Sequence, residues 1–342
     1  MLGAFVAGGF YACKTTPPQT THSALAPAHV LVFSKTSGFY HSTIPVGIGA
    51  IQKLAKANNF TVDTTKNATY FTEDSLKQYS AVIFLSTTLN ILNSDQQVAF
   101  ERYIQAGGGF VGIHAAADTE YDWPWYNKLV GAYFKSHPAF PNVRKATVNI
   151  PDTTNIATKG LPAKWERTDE WYNYKNIQPD IKVLAWLDED SYEGGDNGDE
   201  HPIAWYHEFD GGRAFYTGGG HTDETYSEPL FLKHLLGGIQ YAIGSRAALN
   251  YTKAYATKKP EDNRFTKTIL SDDLNEPMEL AVAPDGRVFF IERAGNFYVY
   301  DPATKKTTLV YKFPVKAVDK YLNGLLGITI DPDFSSNNFI YF

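Results

Sequence analysis

The sequence predicts an α/β protein built on a parallel sheet with helices on both faces, followed by an incomplete all-β segment. Three observations carry this expectation. Short continuous apolar runs alternate with helix-length amphipathic stretches, a glycine-bounded run breaks sharply at His114, and helical periodicity disappears beyond Gly244.

Residues 1–27 read as a leader and tether. Leu2 to Ala12 is apolar and rich in Gly and Ala, it ends at Cys13, and a polar Lys14-Thr-Thr-Pro-Pro stretch follows. This resembles the end of a bacterial lipoprotein signal, in which Cys13 would be the lipidated residue. The resemblance implies export, with the protein periplasmic or at the cell surface and membrane contact only through that anchor. A single cysteine excludes an internal disulfide framework and a cysteine-based zinc site.

The 342 residues are too many for one ordinary domain, and 43% hydrophobic content supports a sizeable core. Net charge is −6 and no Lys/Arg cluster is present, which argues against a nucleic-acid partner. The 22 Tyr, 22 Phe and 6 Trp would suit sugar-stacking walls, although most such rings serve cores and sheets.

From His29 the pattern is regular. His29–Phe33 is a strand, a loop carries Gly38-Phe-Tyr-His41, and Pro45 to Asn58 is a helix with Ile48, Ile51, Leu54 and Ala55 on one face. Ala81–Leu85 is a buried strand, and Ser94-Asp-Gln-Gln97 reads as a capping box opening a helix that stops before Gly107. Then comes Gly107-Gly-Gly-Phe-Val-Gly-Ile-His-Ala-Ala-Ala-Asp118, a strand turning abruptly into a new helix. Gly112 and the alanines leave room for close backbone approach. At such a break many α/β enzymes hold a nucleophile. Imidazole cannot act as an acyl-transfer thiol or hydroxyl, so His114 suits metal ligation, proton transfer or sugar orientation; a histidine hydrogen-bonded inside a turn is the bland alternative.

Ligand sites in such sheets lie at the carboxyl ends of the strands, where His41 and His114 fall. Further polar groups punctuate the chain: His137 before Pro138, Asp169-Glu-Trp-Tyr172, His201-Pro202, and Gly218-Gly-Gly-His221 after a strand over 213–217. Each alone is a common turn residue; together they point to one shared site.

These motifs, in this order, resemble the ThuA-like domain named for trehalose utilisation, over about residues 28–244. That family's fold is similar to class I glutamine amidotransferases, with flavodoxin-like layering. On such a fold the amidotransferase thiol would fall at His114 and its histidine near His221, so glutamine hydrolysis through an acyl-enzyme is excluded. The resemblance implies a carbohydrate substrate, an oxidised keto sugar or disaccharide. His114, Asp118, Glu170 and His221 are the candidate catalytic residues. His41, His137, Asp169, Trp171 and Tyr172 are candidates for substrate binding, and His41, His114 and His221 for a divalent metal. A carbohydrate-binding module without turnover, and a scaffold in which these loops only pack, are the other classes.

The acidic loop Asp188 to Glu200 lacks EF-hand spacing and reads as a solvated hairpin loop. Residues 245–263 are polar and read as a linker. Over 264–342, short alternating strands with Asp-Gly and Asp-Pro turns suggest one propeller blade. Asn323-Gly-Leu-Leu-Gly-Ile-Thr-Ile-Asp-Pro-Asp-Phe334 resembles the first blade of soluble quinoprotein glucose/sorbosone dehydrogenases. Pyrroloquinoline quinone and calcium are implied for a complete propeller, not for this truncated segment.

Overall fold

The computed structural model describes residues 27–258, 266–317 and 323–342, so the segment read as a leader, with Cys13, lies outside the described residues. Two compact units are present, residues 1–259 and 260–342.

The first unit begins β1 (Ala28–Phe33), α1 (Ile44–Ala57), β2 (Phe60–Thr65), α2 (Glu73–Leu76), β3 (Ala81–Leu85), α3 (Ser94–Gln105) and β4 (Gly109–Ile113). It continues with α4 (Pro124–Val130), β5 (Tyr133–Ser136), β6 (Val143–Asn149), β7 (Lys164–Glu170), β8 (Asn173–Lys175), β9 (Lys182–Asp188), β10 (Pro202–Phe209), β11 (Gly212–Thr217) and α5 (Pro229–Ile243). Nine strands form one sheet in the order β2-β1-β3-β4-β11-β10-β9-β6-β7, while β5 and β8 pair separately. The five strands from β2 to β11 run parallel, and β10, β9, β6 and β7 extend the sheet antiparallel.

Every residue of β3 and β4 is buried, as strands covered on both faces require. Part of that cover is an aromatic cluster in which Phe84 of β3 stacks on Phe100 of α3 with ring centres 5.3 Å apart. On α1, Ile51 and Ala55 are buried and Ile48 and Leu54 half-buried against the core, the predicted face.

The sequence reading departs from the structure in four places. The sheet is mixed, because β6, β7, β9 and β10 follow the parallel core. Asp169 and Glu170 are the last residues of β7 rather than loop residues. The cap of α3 is Asn93, whose side chain accepts from the Gln96 N–H while the Gln96 side chain accepts from the Asn93 N–H; the capping box therefore sits one residue earlier than read. Finally, the described part of the polar stretch after Gly244 is partly tied to α3: the Gln105 side-chain oxygen accepts both the Tyr255 and Ala256 N–H groups, and the Asn250 N–H reaches the Ala106 carbonyl. The acidic segment after Asp188 joins the antiparallel pair β9 and β10, so it is a hairpin connection.

The second unit contains β12 (Pro277–Val282), β13 (Val288–Glu292), β14 (Asn296–Asp301) and β15 (Lys306–Lys312) as an antiparallel meander. A second pair, β16 (Thr329–Ile330) and β17 (Ile340–Tyr341), flanks the four-residue helix α6 (Phe334–Asn337). Its small core gathers Phe289, Ile291, Phe297, Leu325, Ile328 and Phe334. Strand β15 is exposed along its whole length and forms one edge of the meander.

Candidate active site

Three parallel strands and the outermost antiparallel strand deliver the site. After β1, the loop carrying His41 is pinned to the loop after β3: the Ser37 N–H donates to the Thr88 carbonyl, the Gly38 N–H to Thr88 Oγ1, and that hydroxyl to the Phe39 carbonyl. The strand β4 ends at Ile113 and is followed by His114, whose φ of 51° lies in the left-handed region. This is a sharp break that few non-glycine residues adopt. Gly112 makes the turn tight, since a Cβ there would come 2.9 Å from the Tyr216 ring. His221 follows β11, behind Gly220 at φ 123°. Glu170 arrives from the end of β7.

The ring of His114 is oriented by its surroundings. Its Nδ1 lies 2.9 Å from the Gly218 carbonyl, which can only accept, so Nδ1 carries the proton and Nε2 faces the cluster. That Nε2 lies 3.3 Å from Glu170 Oε2 and 3.2 Å from His221 Nδ1, which is itself 3.1 Å from Glu170 Oε2. His41 packs edge-on against both rings, with centres 4.8 and 5.3 Å away. Its buried Nδ1 has no hydrogen-bond partner. One ligand atom from each of His41, His114, Glu170 and His221 lies within 4.8 Å of the others.

Electrostatics sharpen the picture. Burial, reinforced by the positive potential of His114 and His221, pushes the His41 imidazole down to about 3, so it stays neutral. For Glu170, burial would favour the acid form, but bonds and charge from His114 and His221 outweigh it and hold the carboxyl well below its ordinary range. The balance at His221 is the mirror image: burial opposes protonation, and Glu170 and Asp169 overcome it and raise the pKa. An ionised carboxylate and three imidazoles facing one point make a donor set in search of a cation, either a proton or a metal.

Above the cluster lies a cavity of about 320 Å³ lined by Phe39, His41, Asp118, Phe134, His137, Asn142, Glu170, Tyr172 and His221. Asp118 ends the 3-10 turn that starts at His114; burial raises its pKa, partly offset by the 2.6 Å bond it accepts from the Tyr121 hydroxyl. Asn142 donates to Glu170 Oε1, and His137 Nε2 stands 3.8 Å from the same oxygen at the rim. The Tyr172 ring lies against both His114 and Phe134, each with centres 4.3 Å apart.

Two residues expected to touch substrate do not line this cavity. Asp169 is fully buried behind it: Oδ1 accepts the Glu170 and His221 N–H groups, and Oδ2 accepts from the Gly220 N–H, Thr225 Oγ1 and the Arg167 guanidinium. Trp171, also fully buried, points its indole N–H at the Arg144 carbonyl. Alternation along an extended backbone sends neighbouring side chains to opposite sides, so Glu170 and Tyr172 reach the cavity and the residues between and before them do not. His201 is likewise remote in function, holding Glu189 and the Tyr172 carbonyl. Sequence reasoning missed Asn142, Phe134 and Tyr121 and gave no role to Phe39; only Phe39, inside the Ser-Gly-Phe-Tyr-His41 motif, carried a signal.

Fold and site together define an α/β domain in which a sharp break after a buried parallel strand presents an imidazole to two further imidazoles and a carboxylate. The chain belongs to the ThuA family, described as trehalose utilisation, whose model matches residues 29–242, more than half of its length. Residues 274–342 match the glucose/sorbosone dehydrogenase family. Among solved structures, a ThuA-like protein from Bacteroides uniformis is similar at 23% identity and TM-score 0.57, covering 68% of this chain and 99% of that one. Another from Parabacteroides merdae gives 21% and 0.51, covering 68% and 98%. These likenesses show the fold. A curated relative, quinoprotein glucose dehydrogenase B of Acinetobacter calcoaceticus, is 32% identical over 120 residues, 32% of this chain, and the match spans only 24% of that relative. The two family matches together support a carbohydrate-related role.

Proposed function

We propose that the ThuA domain processes an uncharged, carbonyl-bearing sugar by metal-assisted acid/base chemistry. The observation that carries this reading is the convergence of His41, His114, Glu170 and His221 beneath a cavity whose wall also holds Asp118. The donor set fits a borderline divalent cation such as zinc, cobalt, nickel or manganese, because imidazole nitrogens suit such ions, the Glu170 carboxylate offsets one of the two charges and the orphaned His41 Nδ1 gains a partner. Bound there, the metal would polarise a substrate carbonyl.

The chain's own groups do the rest. A carbonyl acidifies the neighbouring C–H, and Asp118, outside the ligand group, is placed to take that proton as general base. No Lys or Arg is among the residues lining the cavity, which favours a neutral sugar over a sugar phosphate. Phe39, Phe134 and Tyr172 offer ring faces for its apolar side. The dehydrogenase-like segment in the same chain adds support, since sugar dehydrogenases generate carbonyls. A non-catalytic carbohydrate-binding module is the second reading, favoured by the same aromatic wall; it predicts sugar binding without turnover.

Metal-stripped protein titrated with zinc, cobalt, nickel and manganese should take up one equivalent. Glu170→Gln should lose most of that affinity, and the loaded protein should turn over keto glycosides. Absence of stoichiometric binding by any of these ions, together with no turnover of keto sugars, would overturn the reading.

A further inference from the structure

We infer that Tyr172 is a catalytic hydrogen-bond donor, its phenol holding the oxygen on which negative charge develops while Asp118 removes the neighbouring carbon-bound proton. The inference rests on the proposed keto-sugar chemistry and assigns to Tyr172 a role beyond a stacking surface.

Four observations point to it. Tyr172 lines the cavity, and the residue is 3% exposed. Its ring is wedged between His114 and Phe134, which fixes the direction of the hydroxyl. Three other buried tyrosines of this domain donate to a backbone carbonyl, Tyr126 to Ala116, Tyr133 to Glu120 and Tyr216 to His114, whereas the enclosed Tyr226 hydroxyl has no partner among the described residues. Among the described residues, the Tyr172 backbone carbonyl accepts from His201 and its hydroxyl has no hydrogen-bond partner. A phenol on the cavity wall with no protein acceptor is free to donate to a ligand.

The electron count closes without a redox partner. Asp118 takes the proton from the carbon beside the carbonyl, the C–H pair forms the new C=C bond, and the carbonyl π pair moves onto oxygen. Tyr172 donates a hydrogen bond to that oxygen and keeps its proton. Return of the Asp118 proton to the same carbon restores the ketone and completes a hydrogen exchange.

Tyr172→Phe tests this with the ring contacts preserved. Metal uptake and thermal midpoint should match wild type, sugar binding should change little, and kcat on a keto glycoside should fall about 10²–10³-fold. A second readout avoids turnover: a sugar hydroxamate, which mimics the enolate, should bind Tyr172→Phe at least tenfold more weakly by calorimetry while the parent sugar does not. Equal kcat and equal hydroxamate affinity in wild type and variant would overturn the role of Tyr172 and leave the proposed function standing. If wild type itself binds neither sugar nor hydroxamate, the proposed function fails and this assignment falls with it.

Discussion

Replacing Asp169 by Asn removes a charge and converts one acceptor oxygen into a donor at the most connected buried carboxylate of the site. Its two oxygens accept five hydrogen bonds of 2.9–3.0 Å, three from backbone N–H groups and two from Arg167 and Thr225. An amide can satisfy only one side. With its NH₂ at the Oδ1 position it faces the Glu170 and His221 N–H groups; at the Oδ2 position it faces Gly220 and Arg167. Either way two buried donors lose their acceptor, at about 1–3 kcal/mol each. Arg167 keeps Glu228 and its enclosure by Trp165, Trp171 and Phe231, which limits the loss of the ion pair. The expected cost is about 3–5 kcal/mol, in the range for breaking a buried pair. Because Asp169 fixes the backbone of His221, metal affinity should also fall roughly 10–100-fold. Urea unfolding and metal titration of the same preparation measure both. A variant within 1 kcal/mol of wild type and with unchanged affinity would show that Asp169 neither braces the loop nor positions the ligand.

Two further outcomes are expected. His234 is fully buried, its Nδ1 bonded to the Ala157 carbonyl, and burial lowers its pKa from 6.5 to about 4. The neutral form is therefore the folded one: its stabilisation is complete above pH 6.5 and is lost as pH falls toward 4, about 3 kcal/mol in all. His234→Asn should flatten the stability profile across that window, with the slope from His41 and other buried histidines remaining; an unchanged profile would refute it. Removing the acceptor that ties down residues 255 and 256, by Gln105→Leu, should speed proteolysis between 245 and 258 several-fold, read by mass spectrometry, and an unaltered cleavage rate would mean that other contacts hold the segment.

Much of this site was legible because its backbone devices are local. Gly112 and the alanines after His114 announce a sharp turn in any context, and the glycine run before His221 announces another. The antiparallel half was harder to read. Strand β7, Lys-Trp-Glu-Arg-Thr-Asp-Glu, alternates outward and inward, but its inward positions include Arg167 and Asp169, buried charges that pair with one another. A hydrophobic pattern cannot reveal a strand whose core-facing residues are ionic. For the same reason Asp169 looked like a substrate contact: a carboxylate beside Glu170 gives no sign in sequence that it points into the protein. Asn142 meets Glu170, twenty-eight residues on, only after folding, so neither spacing nor composition could mark it.

The four donors at residues 41, 114, 170 and 221 are each separated by more than fifty residues of chain. A cation held by all four would close three long loops at once, a reversible cross-link joining the first strand to the outermost one. By mass action, a metal present at a thousandfold excess over its dissociation constant contributes about 4 kcal/mol to the folded state, comparable to a structural disulfide in a chain that has only one cysteine. The ion that activates the site would then also govern how long the domain survives, so that availability of metal sets the amount of folded protein as well as its activity.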